Sequence, residues 1–170
     1  DLLTTSMKSV GETMAIGRTF KEALQKGLRG LEIHHIGFDN KTDYRVVDDE
    51  KMMRRLREPN ASRIFYMKYA LQKGLGVDAV AEATRVDKWF VAQMQQIVDF
   101  EREIVAEFGN IKALSAATTR KAKEWGFADR YLAKLFGIEE RLVRQRRLQL
   151  GKRVRFEAVP VSGVENAAYY

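Results

Sequence analysis

Apolar residues recur every three or four positions along most of the chain, the spacing of helices that bury one face, and only two prolines interrupt them. Thr19 to Glu22 has the S/T-x-x-E spacing of a capping box, which predicts a helix over about 20–32 with Phe20, Leu24, Leu28 and Leu31 facing inward. Periodicity then fails over 33–48, where Gly37, Asp39, Asn40 and Asp43 supply turn chemistry, so this stretch is expected to be a loop. Asp48 or Asp49 can cap a short helix carrying Met52, Met53 and Leu56, which stops before Pro59.

Asn60 is expected to cap the next helix, with Ile64, Met67 and Leu71 in one stripe and Gly74 as its stop. Asp78 opens a brief helix, and Asp87 opens a long one that runs through Trp89, Met94, Ile97, Ile104 and Phe108 to Gly109. Helices are further expected from Ser115 to Gly126, from Asp129 to Gly137, and from Glu139 to Leu150 with Gly151 as its stop. Val154, Phe156 and Ala158 then alternate with charged residues, a strand-like pattern that ends at Pro160. The expected fold is all-α, an irregular multi-helix domain with an extended N-terminal arm and a strand-like C-terminal tail.

A length of 170 residues fits one domain, and zero cysteines exclude disulfide scaffolds, thiolate zinc sites and cysteine nucleophiles. The lack of cysteine fits a reducing cytoplasmic setting, and no run is long and apolar enough for a membrane span nor does the N-terminus have the order of a secretory signal, so nothing is expected to target a membrane. The chain begins at Asp1 without Met, which suggests a piece of something longer.

The net charge of +7 changes the picture only locally. Arg141, Arg144, Arg146, Arg147, Lys152, Arg153 and Arg155 crowd one stretch without an acid, and they account for the whole excess. Arg141, Arg144 and Arg147 are expected along one helical edge. Two readings stay open: nucleic-acid binding through this stretch, or a solvated face that docks on acidic neighbours.

Chemistry-bearing patterns are scarce. His34 and His35 are adjacent, so neither a helix nor a strand would aim both at one metal, and a loop surface suits them better. Gly109 to Lys112 lacks the second Gly and the Lys-Ser/Thr pair of a phosphate loop, and no nucleophile triad can be assembled. No self-contained catalytic, metal or cofactor site is therefore expected. Phe65, Tyr66, Trp89, Phe90 and Phe127 are read as core. Consecutive Met52 and Met53 cannot both face inward on a short helix, so two readings stay open: Met52, Met53 and Leu56 as a self-association surface, or a plain core helix with one exposed Met.

Several phrases are more specific than these patterns. Positions 4–12 (TTSMKSVGE) followed by Met14, Ala15, Ile16, Gly17, Arg18 and Thr19, and then the run from Leu24 through Gly30 to Glu32, resemble the end of the first ATP-grasp half of the carbamoyl-phosphate synthase large chain. Pro59 and Asn60 with Arg63, Ile64, Phe65 and Tyr66 resemble the family's next signature, as do Val86, Asp87, Trp89 and Phe90. Gly126, Phe127, Ala128 and Asp129 with Leu132 and Ala133, then Val143, Arg144 and Arg147, complete the series in family order. Lys88 stands where the family usually has Pro, Gly27 where it has Ala, and positions 159–165 depart from the usual run toward the second half.

The resemblance implies a location within a larger ligase. Positions 1–32 would be the tail of the first ATP-grasp half and a connecting helix, 33–151 the helical oligomerization domain, and 152–170 a linker toward the second half. It implies a parent enzyme that makes carbamoyl phosphate from bicarbonate, ammonia or glutamine, and ATP with Mg or Mn, in arginine or pyrimidine synthesis. The implied partners are the remaining ATP-grasp halves, a further copy of the chain, and a glutaminase small subunit. Positions 4–12 lie in an ATP-grasp half of the family, but without its sheet they form no nucleotide pocket.

Overall fold

The computed structural model describes residue 4, residues 12–108 and 114–153, and the pairs 159–160 and 168–169. Among these residues the chain is all-α, with helices α1 (Phe20–Gly30), α2 (Asp49–Arg57), α3 (Arg63–Gln72), α4 (Val77–Thr84), α5 (Lys88–Phe108), α6 (Ala116–Glu124), α7 (Asp129–Phe136) and α8 (Glu140–Gln149). A 3-10 turn, Tyr44–Val46, lies in the predicted loop. Strands β1 (Val159–Pro160) and β2 (Ala168–Tyr169) form a two-residue antiparallel ladder. Val154, Phe156 and Ala158, which carry the strand pattern, lie outside the described residues, as does most of the expected N-terminal arm.

Side-chain oxygens begin several of these helices, because the first N–H groups of a helix have no partner inside it. Thr19 Oγ1 accepts from the N–H of Glu22 at 3.2 Å, Asp48 Oδ1 from Lys51 at 2.7 Å, and Ser115 Oγ from Thr118 at 3.0 Å. Asp87 Oδ1 accepts from the N–H of Trp89 at 2.8 Å. Asn60 does something other than cap. Its amide donates to the carbonyls of Arg55 and Glu58 at 3.1 and 2.6 Å, and its Oδ1 accepts from Ser62 N–H at 3.0 Å. It thereby staples the end of α2 to the approach of α3, which begins at Arg63.

The chain packs as two compact units, one built on Phe38–Phe100 and the other on Thr13–Gly37 with the residues from Glu101 onward. α5 contributes 88–100 to the first and 101–108 to the second. In the first unit α2, α3 and α4 pack on one another, and Phe38, Met52, Leu56, Met67, Leu71, Val80, Val91 and Ile97 fill the interior. Each such side chain contributes about 1.5–3 kcal/mol by leaving water. Phe38 anchors the loop. The buried Lys68 ammonium lies 5.4 Å from its ring centroid and donates to its carbonyl.

The second unit encloses Leu28, Ile104, Leu114, Ala122, Phe127, Tyr131, Leu132 and Val143. Phe127 and Tyr131 stack with centroids 5.0 Å apart, and the Tyr131 hydroxyl donates to the buried carboxylate of Glu101. α1 departs from its expected inner face: Lys21 and Gln25 are buried beside Leu28, while Phe20, Leu24 and Leu31 are half-buried. Trp89 and Phe90 also depart from the core reading, being 55% and 41% exposed, because Val91, Met94, Ile97 and Val98 define the inward side of α5. Tyr66 is half-buried, whereas Phe65 and Phe127 are buried.

α6 ends in a turn whose N–H groups return to the helix, Gly126 to Lys123 at 3.0 Å and Phe127 to Ala122 at 3.0 Å. This requires φ +86° at Gly126, and a Cβ there would stand 3.0 Å from Gln25 Cβ and 3.1 Å from Glu22 Cα. α1 thus lies against the one turn that has no side chain. Gly74, at φ +94°, faces open space. Gly126→Ala should therefore cost about 3 kcal/mol, backbone strain plus a clash with backbone, and Gly74→Ala only about 1 kcal/mol. Urea unfolding midpoints of the two variants check this, and equal shifts would contradict it.

Candidate functional site

α1 is seated on the turn between α6 and α7. The chain leading into α1 is bound by α1 itself. Glu22 Oε2 accepts from the N–H of Arg18 at 2.8 Å, one residue earlier than a standard capping box would use, and Lys26 Nζ donates to the Ile16 carbonyl at 3.0 Å. Gln25 then donates to the Trp125 carbonyl at 3.1 Å, and Arg29 Nη1 to the Gly126 carbonyl at 2.6 Å. Both acceptors are last-turn or turn carbonyls of the kind a helix leaves unpaired. The Trp125 ring receives Lys21 Nζ at 4.5 Å and Lys121 Nζ at 4.9 Å, so a helix-borne cation from α1 and one from α6 meet the same indole. Burial, and then repulsion from Lys121, lowers the Lys21 pKa.

Beside this seat lies a charge cluster centred on Asp129. Arg147 of α8 grips the carboxylate with Nε at 3.1 Å and Nη2 at 2.8 Å from Oδ2, and both side chains are about nine-tenths covered (10% and 11% exposed). Lys123 of α6 binds the same carboxylate and donates to the Phe127 carbonyl at 2.9 Å. Arg147 Nη1 reaches on to the Lys152 carbonyl at 2.8 Å, just past the end of α8. Burial pushes the Asp129 carboxyl up, but hydrogen bonds from Arg147 and Lys123 outweigh it and hold the group below its usual range. Burial likewise lowers Lys123, with Asp129 opposing the shift.

The candidate residues fall on both sides of the surface. Met52 and Leu56 are 2% and 0% exposed and belong to the interior of the first unit, so they offer no area to another molecule; Met53 alone of the three is half-exposed. The physical reason is the short amphipathic face of α2, which packs on α3 and α4 through positions 52 and 56. Arg147 does not share a basic edge with Arg141 and Arg144. It lies one turn beyond Val143 on the inward side and is spent on Asp129, while Arg141 pairs with Glu139 at 2.7 Å and Arg144 is exposed. His34 is exposed and His35 half-buried, and no group of three or more His, Cys, Asp or Glu able to hold a metal occurs among the described residues. Among the described residues no helix is long and apolar enough to cross a membrane.

Comparison with known proteins gives a consistent likeness. The model of the carbamoyl-phosphate synthetase large chain oligomerisation domain matches residues 12–151, which contain α1 through α8. The carbamoyl phosphate synthase large chain of Archaeoglobus fulgidus is 44% identical over 166 residues, covering 96% of this chain and 15% of that protein. That of Vibrio cholerae is 44% identical over 150 residues, covering 88% and 14%. The large chain N-terminal section of Methanopyrus kandleri is 39% identical over 176 residues, covering 98% and 31%. This chain thus spans between 14% and 31% of the length of these relatives.

The cluster makes a pH prediction with a definite sign. Folding depresses the Asp129 pKa, so its stabilising contribution is present above the unfolded value of about 3.9 and is lost as pH falls through the lower folded value. Asp129→Asn, which leaves Arg147 and Lys123 facing each other, should cost about 3 kcal/mol near pH 7 and flatten the acid limb of the stability curve. Urea unfolding between pH 7 and pH 2 checks this; an acid limb as steep as in the parent sequence would contradict it.

Proposed function

The chain belongs to the family of the carbamoyl-phosphate synthetase large chain oligomerisation domain, and we propose that it acts as the helical connector of such a large chain, holding the neighbouring ATP-grasp halves in register. The observation that carries this is the match over 12–151 together with 44% identity to large chains many times its length. The clamps on both sides of the module support it: backbone before α1 and backbone after α8 are each held by cationic side chains of the same compact unit.

On this reading the chemistry belongs to the parent enzyme, which makes carbamoyl phosphate from bicarbonate, ammonia or glutamine, and ATP with Mg or Mn. A fixed spacer serves such a sequence of reactions because a short-lived intermediate survives transfer only between sites whose separation does not drift. Partners are the ATP-grasp halves, a further copy of the chain and a glutaminase subunit, in the cytoplasm. The division into 1–32, 33–151 and 152–170 belongs to the same proposal. Nothing favours the nucleic-acid reading once Arg147 is paired internally.

Self-association through α2 would have to use Met53, since Met52 and Leu56 are buried. Met53→Glu is expected to lower the mass seen by light scattering without loss of helicity, and an unchanged mass would refute this placement. The function itself is tested by exchange. The Archaeoglobus fulgidus large chain carrying residues 12–151 of this chain in place of its own should still synthesise carbamoyl phosphate, while the 170-residue chain alone shows no bicarbonate-stimulated ATP hydrolysis. A folded chimera without synthesis, or hydrolysis by the chain alone, would overturn the reading.

A further inference from the structure

We propose that Asp129 is a mechanical coupler: its carboxylate joins the clamp on α1 to the clamp on the chain leaving α8, so that loosening either one loosens the other. This goes beyond the connector reading and does not depend on which enzyme the chain serves. It follows from a continuous series of bonds inside one unit. The Lys152 carbonyl is held by Arg147 at 2.8 Å, and Arg147 is held by Asp129 at 2.8 Å. Asp129 also binds Lys123, which donates to the Phe127 carbonyl at 2.9 Å, and the adjoining Gly126 carbonyl is held by Arg29 of α1 at 2.6 Å.

Two things make this more than neighbouring contacts. Every hydrogen bond in the series has a charged partner, and charged hydrogen bonds are about twice as strong as neutral ones; only the step from Phe127 to Gly126 runs through the backbone. The charges are also interdependent: Arg147 and Arg29 both repel Lys123, and Asp129 is the group that binds Lys123 and Arg147 together. Shifting Arg29 moves the Gly126 turn, and Lys123 must follow through the next carbonyl. The carboxylate then no longer meets Arg147 with both nitrogens. On the α1 side Glu22 attracts Arg29, while Lys21 lies over the Trp125 ring and Lys26 pairs with Glu22.

Amide hydrogen exchange on the 170-residue chain tests it, with the amides of α3 in the other unit as the reference for global opening. Arg29→Met should speed exchange at Gly151 and Lys152 by about tenfold relative to that reference, although Arg29 makes no bond to α8, and Arg147→Met should do the same at Leu31 and Glu32. In an Asp129→Asn background neither substitution should have any remote effect. Arg29→Lys and Arg147→Lys keep the charge but lose the forked geometry, and they provide the same readout if the Met variants fold poorly. If each variant speeds only the amides at its own clamp, or if the remote effect survives Asp129→Asn, the coupling does not exist.

Discussion

A carboxylate taken out of water costs several kcal/mol unless cations and hydrogen bonds replace what it gives up, and in this chain Arg147 and Lys123 supply them to Asp129. Much of the second unit follows from that requirement. Lys123 must lie at the end of α6, Asp129 in the first turn of α7, and Arg147 in the last turn of α8, so three short helices have their ends at one point. A short helix is marginal by itself. Here the ends are secured electrostatically while Phe127, Tyr131, Leu132 and Val143 provide the apolar burial.

The same device recurs where the backbone is irregular. Lys26 binds the Ile16 carbonyl, Arg29 that of Gly126, Lys123 that of Phe127, Arg146 that of Leu114 and Arg147 that of Lys152. Each acceptor is a carbonyl outside a helix, a group that water or a side chain must satisfy. A basic composition thereby acquires a structural meaning. Part of the cation excess is spent holding turns and connections.

The helices were largely legible from residue types with local consequences. Thr19, Asp48, Asp87 and Ser115 cap because their oxygens reach an N–H two or three residues away, and Gly74, Gly126, Gly137 and Gly151 stop helices through positive φ, all within one turn of sequence. What was not legible depended on partners remote in sequence. Asp129 read as a helix opener because its cations lie on other helices, one of them 18 positions away. Arg147 read as surface because nothing local distinguishes it from Arg144. Gln25 gave no signal at all, since its partner carbonyl is 100 positions away. Trp89 and Phe90 misled in the opposite direction: hydrophobicity predicts burial, but their place just before Val91 set them off the inward face of α5. Of Met52, Met53 and Leu56, helical spacing alone implied that 52 and 56 share a face, and that face proved to be the interior.

A connector that holds its neighbours in register requires the second unit to behave as one rigid body. The absence of native cysteine allows spin labels at Met14→Cys and Arg153→Cys, both on exposed positions of that unit, without background. Pulsed dipolar spectroscopy should return a single narrow distance distribution that is unchanged between low and high salt, because the ion pairs that set it are buried. A broad or multi-peaked distribution in the unaltered sequence background would contradict the account.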